Sequence, residues 1–484
     1  MTPLERYRDV VDDWPAFCAA LARPQPPCVM TNRLRLTRRQ LAAWLAREGM
    51  PASPIPWLAD GLRLAPGSRP GRSVLQLTGL LNIQEEIAML PAVLLDPQPG
   101  ERILDLCAAP GNKTAQIAFL MGDRGTVVAN DRFADRAGLV RRTVERLGLT
   151  SVAVTCWDGT SMPPEIGCFD RVMVDVPCSC EGTARKNPAI LMRLQMRPPG
   201  WPRYGQRALL DKALQLCRPG GRVVYATCTF APEENEQVVA EVLDRLGDAV
   251  RLLPADHPGI NAAPGLVRWG GQRFPADLRH CRRLYPHHND TGGFFVAVLE
   301  KLASTHRSEP PAEPAPLELE ELAPEPYLAH LEEVYGLDRR LFAGHRLVRS
   351  SRERLALVRR HASFAARPAP VAAGCSLLHL GSAVPRLTTA ATCAWGRHAT
   401  RNVVELDAEQ VDRFFTRQPL ELRADQLRDC RHGYHVITRH QGHALGLGHF
   451  QSTAAGGILE SSLPRRWYAE RARARRAATA LTGD

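Results

Sequence analysis

Short apolar runs alternate with amphipathic stretches between residues 76 and 300. Five runs predict strands, and each ends in polar or cysteine residues: RILDLC, GTVVAND, SVAVTCWDG, FDRVMVDVPC and GGRVVYATC. NKTAQIAFLMG and YGQRALLDKALQLC have helical spacing and lie between them, and GGFFVAVLE predicts a last strand. Strands that alternate with helices favour an α/β fold built on a parallel sheet.

Candidate functional residues fall at the predicted carboxyl ends of these strands. Ligands of parallel α/β sheets bind in the crevice at that edge. Six acidic or thiol side chains are placed there: Cys107, Asp131, Asp158, Asp175, Cys178 and Cys228. Each alone has an ordinary structural explanation, but their joint placement is harder to obtain by chance. The pattern therefore predicts one site along this edge.

The flanking regions have different patterns. Residues 1–75 predict a small α+β domain, in which TNRLRL (31–36) alternates like a half-buried strand and Thr37 and Gln40 fit a helix capping box. The catalytic sheet is predicted over 76–301. Residues 302–326 are rich in Pro and Glu and predict an exposed linker. A mostly helical connector is predicted over 327–369, and a β-rich domain with a basic tail over 370–484.

Charge favours an anionic partner. The 484 residues have a formal net charge of +11, which nucleic acid would complement. All but four of the 62 basic residues are Arg, and a coding bias accounts for that excess at least as well as phosphate binding does. Two of the four lysines, Lys113 and Lys186, lie in the motifs described below.

The 13 cysteines form no dense framework and no CxxC pair, and no apolar run reaches membrane-spanning length. We therefore expect a monomer in a reducing cytoplasm, without a structural metal and without a membrane partner.

The loop that follows the first strand has the composition of a ligand-binding turn. Cys107-Ala108-Ala109-Pro110-Gly111-Asn112-Lys113 joins a strand to a helix, so backbone amides can approach a ligand and Lys113 can meet a carboxylate. Asp131, at the next strand end, suits ribose hydroxyls, and Asp158 suits an adenine amino group. Together they indicate an adenosine-type cofactor.

Two thiols and a carboxyl end the fourth and fifth strands. A thiolate that adds to carbon 6 of cytosine makes carbon 5 nucleophilic toward a methyl donor. A carboxyl at N3 stabilises the adduct, and a second thiol can assist its breakdown. Cys178 with Asp175, and Cys228 on the neighbouring strand, supply these groups.

A family resemblance follows from these motifs. DLCAAPGNKT, AND, WDG, DVPCSCEGTARKN, YATCTFAPEENE and HHNDTGGFF resemble, in order, the motifs of the RsmB/Nop/Sun family of RNA (cytosine-5) methyltransferases. The resemblance implies that Cys228 is the nucleophile, that Cys178 assists release and that Asp175 contacts N3 of the base. It also implies a Rossmann-like sheet that binds S-adenosylmethionine, through Cys107, Ala108, Ala109, Pro110, Gly111, Asn112, Lys113, Asp131, Arg136, Asp158 and Asp175.

The same resemblance implies RNA contacts outside the cofactor site. Lys186 and Asn187 would lie near the RNA path, and TNRLRLT resembles the family's N-terminal RNA-binding region. VYGLDRRLF, ATRNVVEL and HALGLGHF resemble the C-terminal PUA-like region of the tRNA-acting branch. The substrate stays open between tRNA and rRNA, because related domains occur in both groups.

Two positions depart from the family pattern. Cys180 stands where glycine is usual and adds a third thiol, and Asn112 replaces a common glycine.

His287, His288 and Asp290 have the residue types of a metal site, but their spacing favours a structural loop.

Two alternatives remain at this stage. A DNA cytosine-5 methyltransferase would use Cys178 as its nucleophile, although the Thr-Cys-Thr of the fifth strand argues against it. An RNA-binding assembly factor without activity would not need Cys228, Cys178 and Asp175 together.

Overall fold

The computed structural model describes residues 3–194, 203–306, 308–381, 384–454, 456–465 and 467. The N-terminal unit is an antiparallel sheet in the order β2-β3-β1-β4, with helices beside it. Its elements are α1 (Trp14–Leu21), β1 (Cys28–Thr31), α2 (Arg38–Arg47), β2 (Ala52–Pro54), β3 (Gly61–Leu64), α3 (Val74–Leu77) and β4 (Leu81–Ile83). Because β4 pairs with β1, this unit extends past the predicted boundary at residue 75.

The strand predicted over 31–36 is wrong, because β1 ends at Thr31 and a turn follows. The buried amide of Asn32 donates to the carbonyls of Gly79 (2.8 Å) and Leu147 (3.1 Å), so side-chain bonds replace a strand ladder here. The predicted capping box is confirmed: Thr37 Oγ1 accepts from the Gln40 amide, and the Gln40 side chain accepts from the Thr37 amide.

The central unit is built on a ten-stranded mixed sheet, to which it supplies nine strands and the C-terminal region supplies one. Two further short strands of the unit pair with each other outside this sheet. Its elements are α4 (Leu90–Leu95), β5 (Arg102–Asp105), α5 (Asn112–Leu120), β6 (Thr126–Asp131), α6 (Ala134–Leu147), β7 (Val152–Cys156), β8 (Phe169–Asp175), α7 (Ala189–Leu194), α8 (Arg203–Leu216), β9 (Cys217–Thr227), α9 (Glu236–Leu246), β10 (Val250–Leu253), β11 (Ala263–Pro264), β12 (Arg268–Trp269), β13 (Gln272–Arg273), β14 (Arg282–Leu284), α10 (Pro286–Asn289) and β15 (Phe294–Lys301).

The predicted parallel strands are confirmed in the order β9-β8-β5-β6-β7. The last strand differs, since β15 runs antiparallel to β9 and is reached from β14 by a short connection. The chain passes from β5 outward to β7 and then returns to β8, so the strand order reverses between β5 and β8. Crevices for ligands form at such a reversal point.

Helices cover both faces of this sheet. One apolar cluster joins the sheet to α5 and α6 through side chains such as Ile117 and Val140. The other joins it to α8 and α9 through side chains such as Leu210 and Val239. Burial of apolar side chains on both faces explains why these strands are continuous hydrophobic runs in the sequence.

The predicted linker is largely exposed but is held along the catalytic unit. Backbone amides of Cys168 and Ala315 donate to the carbonyls of Pro311 (2.9 Å) and Glu165 (3.0 Å). The side chains of Pro310 and Pro314 are buried. This segment therefore has fixed contacts at its middle.

The C-terminal region is β-rich, as predicted, and its PUA-like identity stays a prediction. Its elements are α11 (Glu325–Tyr335), β16 (His345–Ser351), β17 (Arg354–Arg359), β18 (Ala372–Ala373), β19 (Cys375–His379), β20 (Arg386–Leu387), α12 (Thr389–Trp395), β21 (Val403–Glu405), α13 (Ala408–Phe415), β22 (Leu420–Leu422), β23 (Leu427–Arg428), β24 (His435–His440), β25 (His443–Thr453) and β26 (Gly456–Ser461).

The helical connector predicted over 327–369 is wrong for most of its length, because helix is confined to its first part and β16 and β17 form a hairpin after it. In β17 (RLALVR) the four consecutive apolar residues are all buried, while Arg354 is exposed and Arg359 is half-buried. The short strand β18 pairs with β7, so this region extends the catalytic sheet. The predicted basic tail (Arg465, Arg466, Arg471, Arg473, Arg475 and Arg476) lies outside the described residues, except Arg465.

Among the described residues, no helix combines the length and apolar character that a membrane span requires.

Candidate active site

The loop after β5 is held by backbone bonds to its neighbour β6. The Ala108 amide donates to the Asn130 carbonyl (2.7 Å), and the Ala109 amide donates to Asp131 Oδ2 (3.3 Å). Gly111 caps α5 with a φ of +100°, and a Cβ there would lie 3.2 Å from Thr143 Cβ. Asn112 Oδ1 accepts from the side-chain Nδ2 of Asn82 (3.1 Å), so the Asn112 side chain ties the loop to the N-terminal sheet.

Two of the predicted acidic residues, Asp131 and Asp158, lie at the carboxyl ends of β6 and β7, on the cofactor side of the crevice at the sheet edge. Asp131 is buried at the end of β6, and the Arg136 Nε lies 3.1 Å from both its oxygens. Asp158 is half-buried after β7, accepts from the Thr160 amide (3.0 Å) and lies 3.4 Å from the Arg132 guanidinium. These hydrogen bonds, with the Arg132 charge, overcome the opposing effect of burial and lower the pKa of Asp158.

Sequence reasoning missed a third carboxyl, Asp105. It ends β5 directly beneath the loop, is fully buried and accepts from Thr114 Oγ1 (2.6 Å). Burial raises the pKa of Asp105 to about 7. Its Oδ1 has no partner within the described part of the chain. DLC signalled this residue only as the end of a strand, and its burial is a tertiary effect.

Lys113 joins the two halves of the crevice. It begins α5 after the loop, and its Nζ donates to Asp175 Oδ2 at the end of β8 (2.7 Å). The ammonium also lies 5.3 Å from the Phe294 ring centroid. Although burial opposes the charge, Asp175 raises the pKa of Lys113. The carboxylate that Lys113 meets is therefore one from this chain.

Three thiols form a triangle beside this ion pair. Cys178 Sγ lies 3.4 Å from Cys228 Sγ and 4.0 Å from Cys180 Sγ. All three sulfurs lie within 4.8 Å of one another. Hydrogen bonds from the two neighbouring thiols, with burial, raise the pKa of Cys178. The structure thus brings Cys178 and Cys228 together, as their strand-end positions predicted.

A buried carboxylate, Glu181, supports the thiols and was missed. It accepts from Tyr7 Oη (2.8 Å), Thr229 Oγ1 (3.0 Å) and the Phe230 amide (3.1 Å). It therefore fixes the residues that follow Cys228 to the loop that carries Cys178. Its partner Tyr7 is far away in the sequence, so no local pattern indicated this contact.

Comparison with known proteins agrees with this geometry. Residues 92–300 match the family model described as 16S rRNA methyltransferase RsmB/F, and residues 5–69 match the RsmF/B-like ferredoxin-like domain. A tRNA (cytosine(49)-C(5))-methyltransferase of Pyrococcus abyssi is 35% identical over 300 residues, which are 62% of this chain and 95% of that protein. The chain belongs to the RsmB/F family of RNA cytosine-C5 methyltransferases.

Other relatives match a similar share of this chain. A 28S rRNA (cytosine-C(5))-methyltransferase of Mus musculus is 37% identical over 60% of this chain, but the match spans only 37% of the mouse protein. The crystal structure of a methyltransferase homologue from Pyrococcus horikoshii superposes with a TM-score of 0.53 at 31% identity, over 62% of this chain and all of that one. The match to the RsmB/F family model, over residues 92–300, includes the three cysteines of the thiol triangle.

The predicted RNA-contacting residues of this RsmB/F member follow the Cys178 loop in the chain. Lys186 and Asn187 are exposed after the Cys178 loop. Their neighbour Arg185 is buried, and donates to the Thr291 carbonyl (2.8 Å) and Asp290 Oδ1 (2.8 Å). Arg185 therefore anchors the loop, a role that the ARKN motif alone did not indicate.

The histidine loop before β15 is held by the N-terminal segment. His287 Nε2 and His288 Nε2 lie 3.0 Å and 2.9 Å from the two Asp12 oxygens. Asp290 pairs with Arg185 instead. The loop thus ties the N-terminal segment to the catalytic unit.

Proposed function

We propose that this chain methylates carbon 5 of cytosine in RNA, with S-adenosylmethionine as methyl donor and Cys228 as covalent nucleophile. The observation that carries the proposal is the pair of Cys228 and Cys178 sulfurs, 3.4 Å apart beside the Lys113–Asp175 ion pair. The chain spans little more than a third of the mouse relative, so its own activity and substrate need direct tests.

The cofactor half of the crevice fits an adenosine-type methyl donor. Asp105 Oδ1 has no partner among the described residues, and a cofactor hydroxyl or ammonium would satisfy a buried acceptor of this kind. Asp131 would accept ribose hydroxyls and Asp158 an adenine amino group. The residues Cys107 to Lys113, with Arg136, would complete the pocket. When bound, S-adenosylmethionine supplies an electrophilic methyl group on a positively charged sulfur.

The other half of the crevice suits addition to a pyrimidine. The Cys228 thiolate forms a bond to carbon 6, and the electron pair of the C5–C6 double bond becomes available at carbon 5. Asp175 contacts N3 and, when it carries a proton, donates it there, which neutralises the negative charge that develops on the ring. Carbon 5 then forms a bond to the methyl group, and the electron pair of the broken sulfur–methyl bond stays on the donor's sulfur.

Breakdown of the adduct needs a second group. A base removes the carbon 5 proton, the C5–C6 double bond forms again, and Cys228 leaves as thiolate. Cys178 lies close enough to Cys228 to assist this elimination. The target base must leave its stack to reach these sulfurs. Lys186, Asn187, the N-terminal unit and the β-rich C-terminal region supply the surrounding RNA surface.

The test uses labelled methyl donor and total RNA from cells that lack the protein. It compares the wild type with Cys228→Ala, Cys178→Ala and the exposed control Cys18→Ala. We expect methylated cytosine from the wild type and the control, and none from Cys228→Ala. Cys178→Ala accumulates a covalent RNA–protein adduct that survives denaturing electrophoresis. Bisulfite sequencing of the product identifies the cytosine and assigns it to tRNA or rRNA.

Other outcomes favour the alternatives. An adduct that Cys178→Ala loses and Cys228→Ala keeps would move the nucleophile to Cys178, as in DNA methyltransferases. No methylation by any form, together with no S-adenosylmethionine binding by calorimetry, would favour a non-catalytic RNA-binding factor.

A further inference from the structure

The sulfur atoms of Cys178, Cys180 and Cys228 have the spacing of three ligands around one small cation. Three thiolates that bind Zn²⁺ at about 2.3 Å lie about 3.8 Å from each other in a tetrahedral site. The sulfurs here are separated by 3.4 Å and 4.0 Å, and no pair exceeds 4.8 Å. Changes of no more than about 1 Å in these separations would bring all three sulfurs onto one ion.

The conformation of Cys180 makes its thiol unusual. Its φ of +62° lies in the left-handed region, which glycine adopts most readily. A cysteine at position 180 therefore carries a conformational cost. The proposed reaction uses the thiols of Cys178 and Cys228 and does not require that of Cys180. The Cys180 sulfur turns back to lie 3.3 Å from the Cys178 carbonyl, which keeps it beside the other two.

We propose that Cys178, Cys180 and Cys228 form a Zn²⁺ site that withholds the nucleophile while the ion is bound. Binding converts three thiols and Zn²⁺ into a trithiolate complex and releases three protons to solvent. The complex has one net negative charge, and the Lys113 ammonium lies near enough to Cys228 to offset it. Cys180 and Cys228 are half-buried rather than fully enclosed, so a water molecule can take the fourth position on the ion.

Zinc binding stands independently of the reaction, whereas the inhibition rests on the proposed role of Cys228. The first measurement is therefore metal binding by the reduced, untagged full chain. A chromogenic chelator competes for Zn²⁺, and Co²⁺ as a substitute reports thiolate ligands through a sulfur-to-metal charge-transfer band. All proteins compared carry Asp12→Ala, because Asp12, His287 and His288 form another cluster that a metal could use. The wild type of these comparisons is therefore the Asp12→Ala protein with all its cysteines.

Cys180→Gly is the decisive variant, since glycine suits the φ of this position. We expect one Zn²⁺ per wild-type chain and an affinity roughly 100-fold lower in Cys180→Gly, since one of three thiolate ligands is lost. Both Cys180→Gly and Cys180→Ser weaken the sulfur-to-cobalt charge-transfer band, because two thiolates remain instead of three. The exposed control Cys18→Ser leaves both readouts unchanged. Equal Zn²⁺ affinity in the wild type and Cys180→Gly, or no charge-transfer band, would overturn the site.

The second measurement adds Zn²⁺ to the methylation assay, with each form normalised to its own rate without metal. We expect inhibition of the wild type at the concentrations that fill the site, reversal by a chelator, and a roughly 100-fold weaker effect on Cys180→Gly. A filled site with unchanged methylation would overturn the inhibitory role while leaving the metal site in place. If no form methylates RNA, the binding measurement alone decides whether the site exists.

Discussion

At the scale of single residues, buried polar side chains hold the reactive ones. Glu181 is 6% exposed and accepts three hydrogen bonds from residues of two distant segments. Two of the donors, Thr229 and Phe230, directly follow Cys228. The position of Cys228, the proposed nucleophile, therefore depends on Glu181, which is not one of the proposed reacting groups.

Replacement of Glu181 tests this dependence. Glu181→Ala leaves buried donors without an acceptor, and we expect it to lower the free energy of unfolding by about 2–4 kcal/mol. Tyr7→Phe removes only one of these donors, so we expect a loss nearer about 1 kcal/mol. Urea unfolding measures both values.

A positioning role predicts a further effect in Glu181→Ala at a temperature where it is still folded. The methylation kcat falls while KM for the methyl donor changes little, because the cofactor half of the crevice is separate. Tyr7→Phe keeps most of kcat. Equal kcat in all three proteins would limit Glu181 to a stabilising role.

The sequence predicted where residues lie when they follow the end of a strand. Asp131, Asp175, Cys178 and Cys228 all lie where the alternation of strands and helices placed them. Asp105, Glu181 and Arg185 were missed, because each depends on burial by segments far away in the chain. A charged residue has the same local signal whether it becomes exposed or buried.

At the scale of elements, the loop that carries the thiols crosses the segment before β15 at very short range. The Gly182 amide donates to the Cys228 carbonyl (2.9 Å), and the Gly182 carbonyl accepts from the Gly293 amide (2.8 Å). A Cβ at Gly182 would lie 2.1 Å from the Gly293 carbonyl oxygen. Backbone atoms cannot move aside as a flexible side chain can, so this crossing requires glycine.

Gly182→Ala should therefore disturb stability and site together. We expect a loss of about 2–3 kcal/mol in the free energy of unfolding, since the added methyl group overpacks a backbone contact. The yield of Cys178–Cys228 cross-links with a short bifunctional thiol reagent should fall as well. The matched control is Gly205→Ala in α8, where a Cβ meets nothing within 4 Å. There the helix gains up to about 0.5–1 kcal/mol.

A Gly182→Ala protein as stable as the wild type, with normal cross-linking, would contradict this account.

Sequence patterns predicted the central elements well because their faces are strongly apolar. They failed at β16 and β17, where Arg-rich stretches looked helical although a hairpin forms.

At the scale of the whole molecule, the C-terminal region is packed against both preceding units. The Trp44 ring of α2 lies 4.9 Å from the His443 ring, and the Arg397 guanidinium donates to the Arg35 carbonyl. Ser376 Oγ donates to Glu145 at the end of α6 (3.2 Å). No local pattern predicts such contacts, because they join surfaces that become neighbours only after each unit has folded.

Three histidines make this region sensitive to acid. Burial, together with nearby arginines, lowers the pKa of His345, His435 and His443 to about 4. In the unfolded chain a histidine titrates near pH 6.5. Between these values the unfolded chain binds more protons than the folded one, so stability falls as the pH falls from about 6.5 to about 4. Above this window neither state is protonated, and the three histidines contribute no pH dependence.

Thermal unfolding from pH 8 to pH 4 measures this effect. We expect Tm to be nearly constant above pH 7 and to decline below about pH 6.5, with a shallower decline when His345, His435 and His443 are all replaced by Gln. The exposed His361→Gln serves as the control and should follow the wild type. His443→Gln alone should reduce acid-induced proteolysis where the N-terminal and C-terminal units meet, because His443, unlike His345 and His435, packs on Trp44. A triple variant with the wild-type pH profile would show that other groups cause the loss.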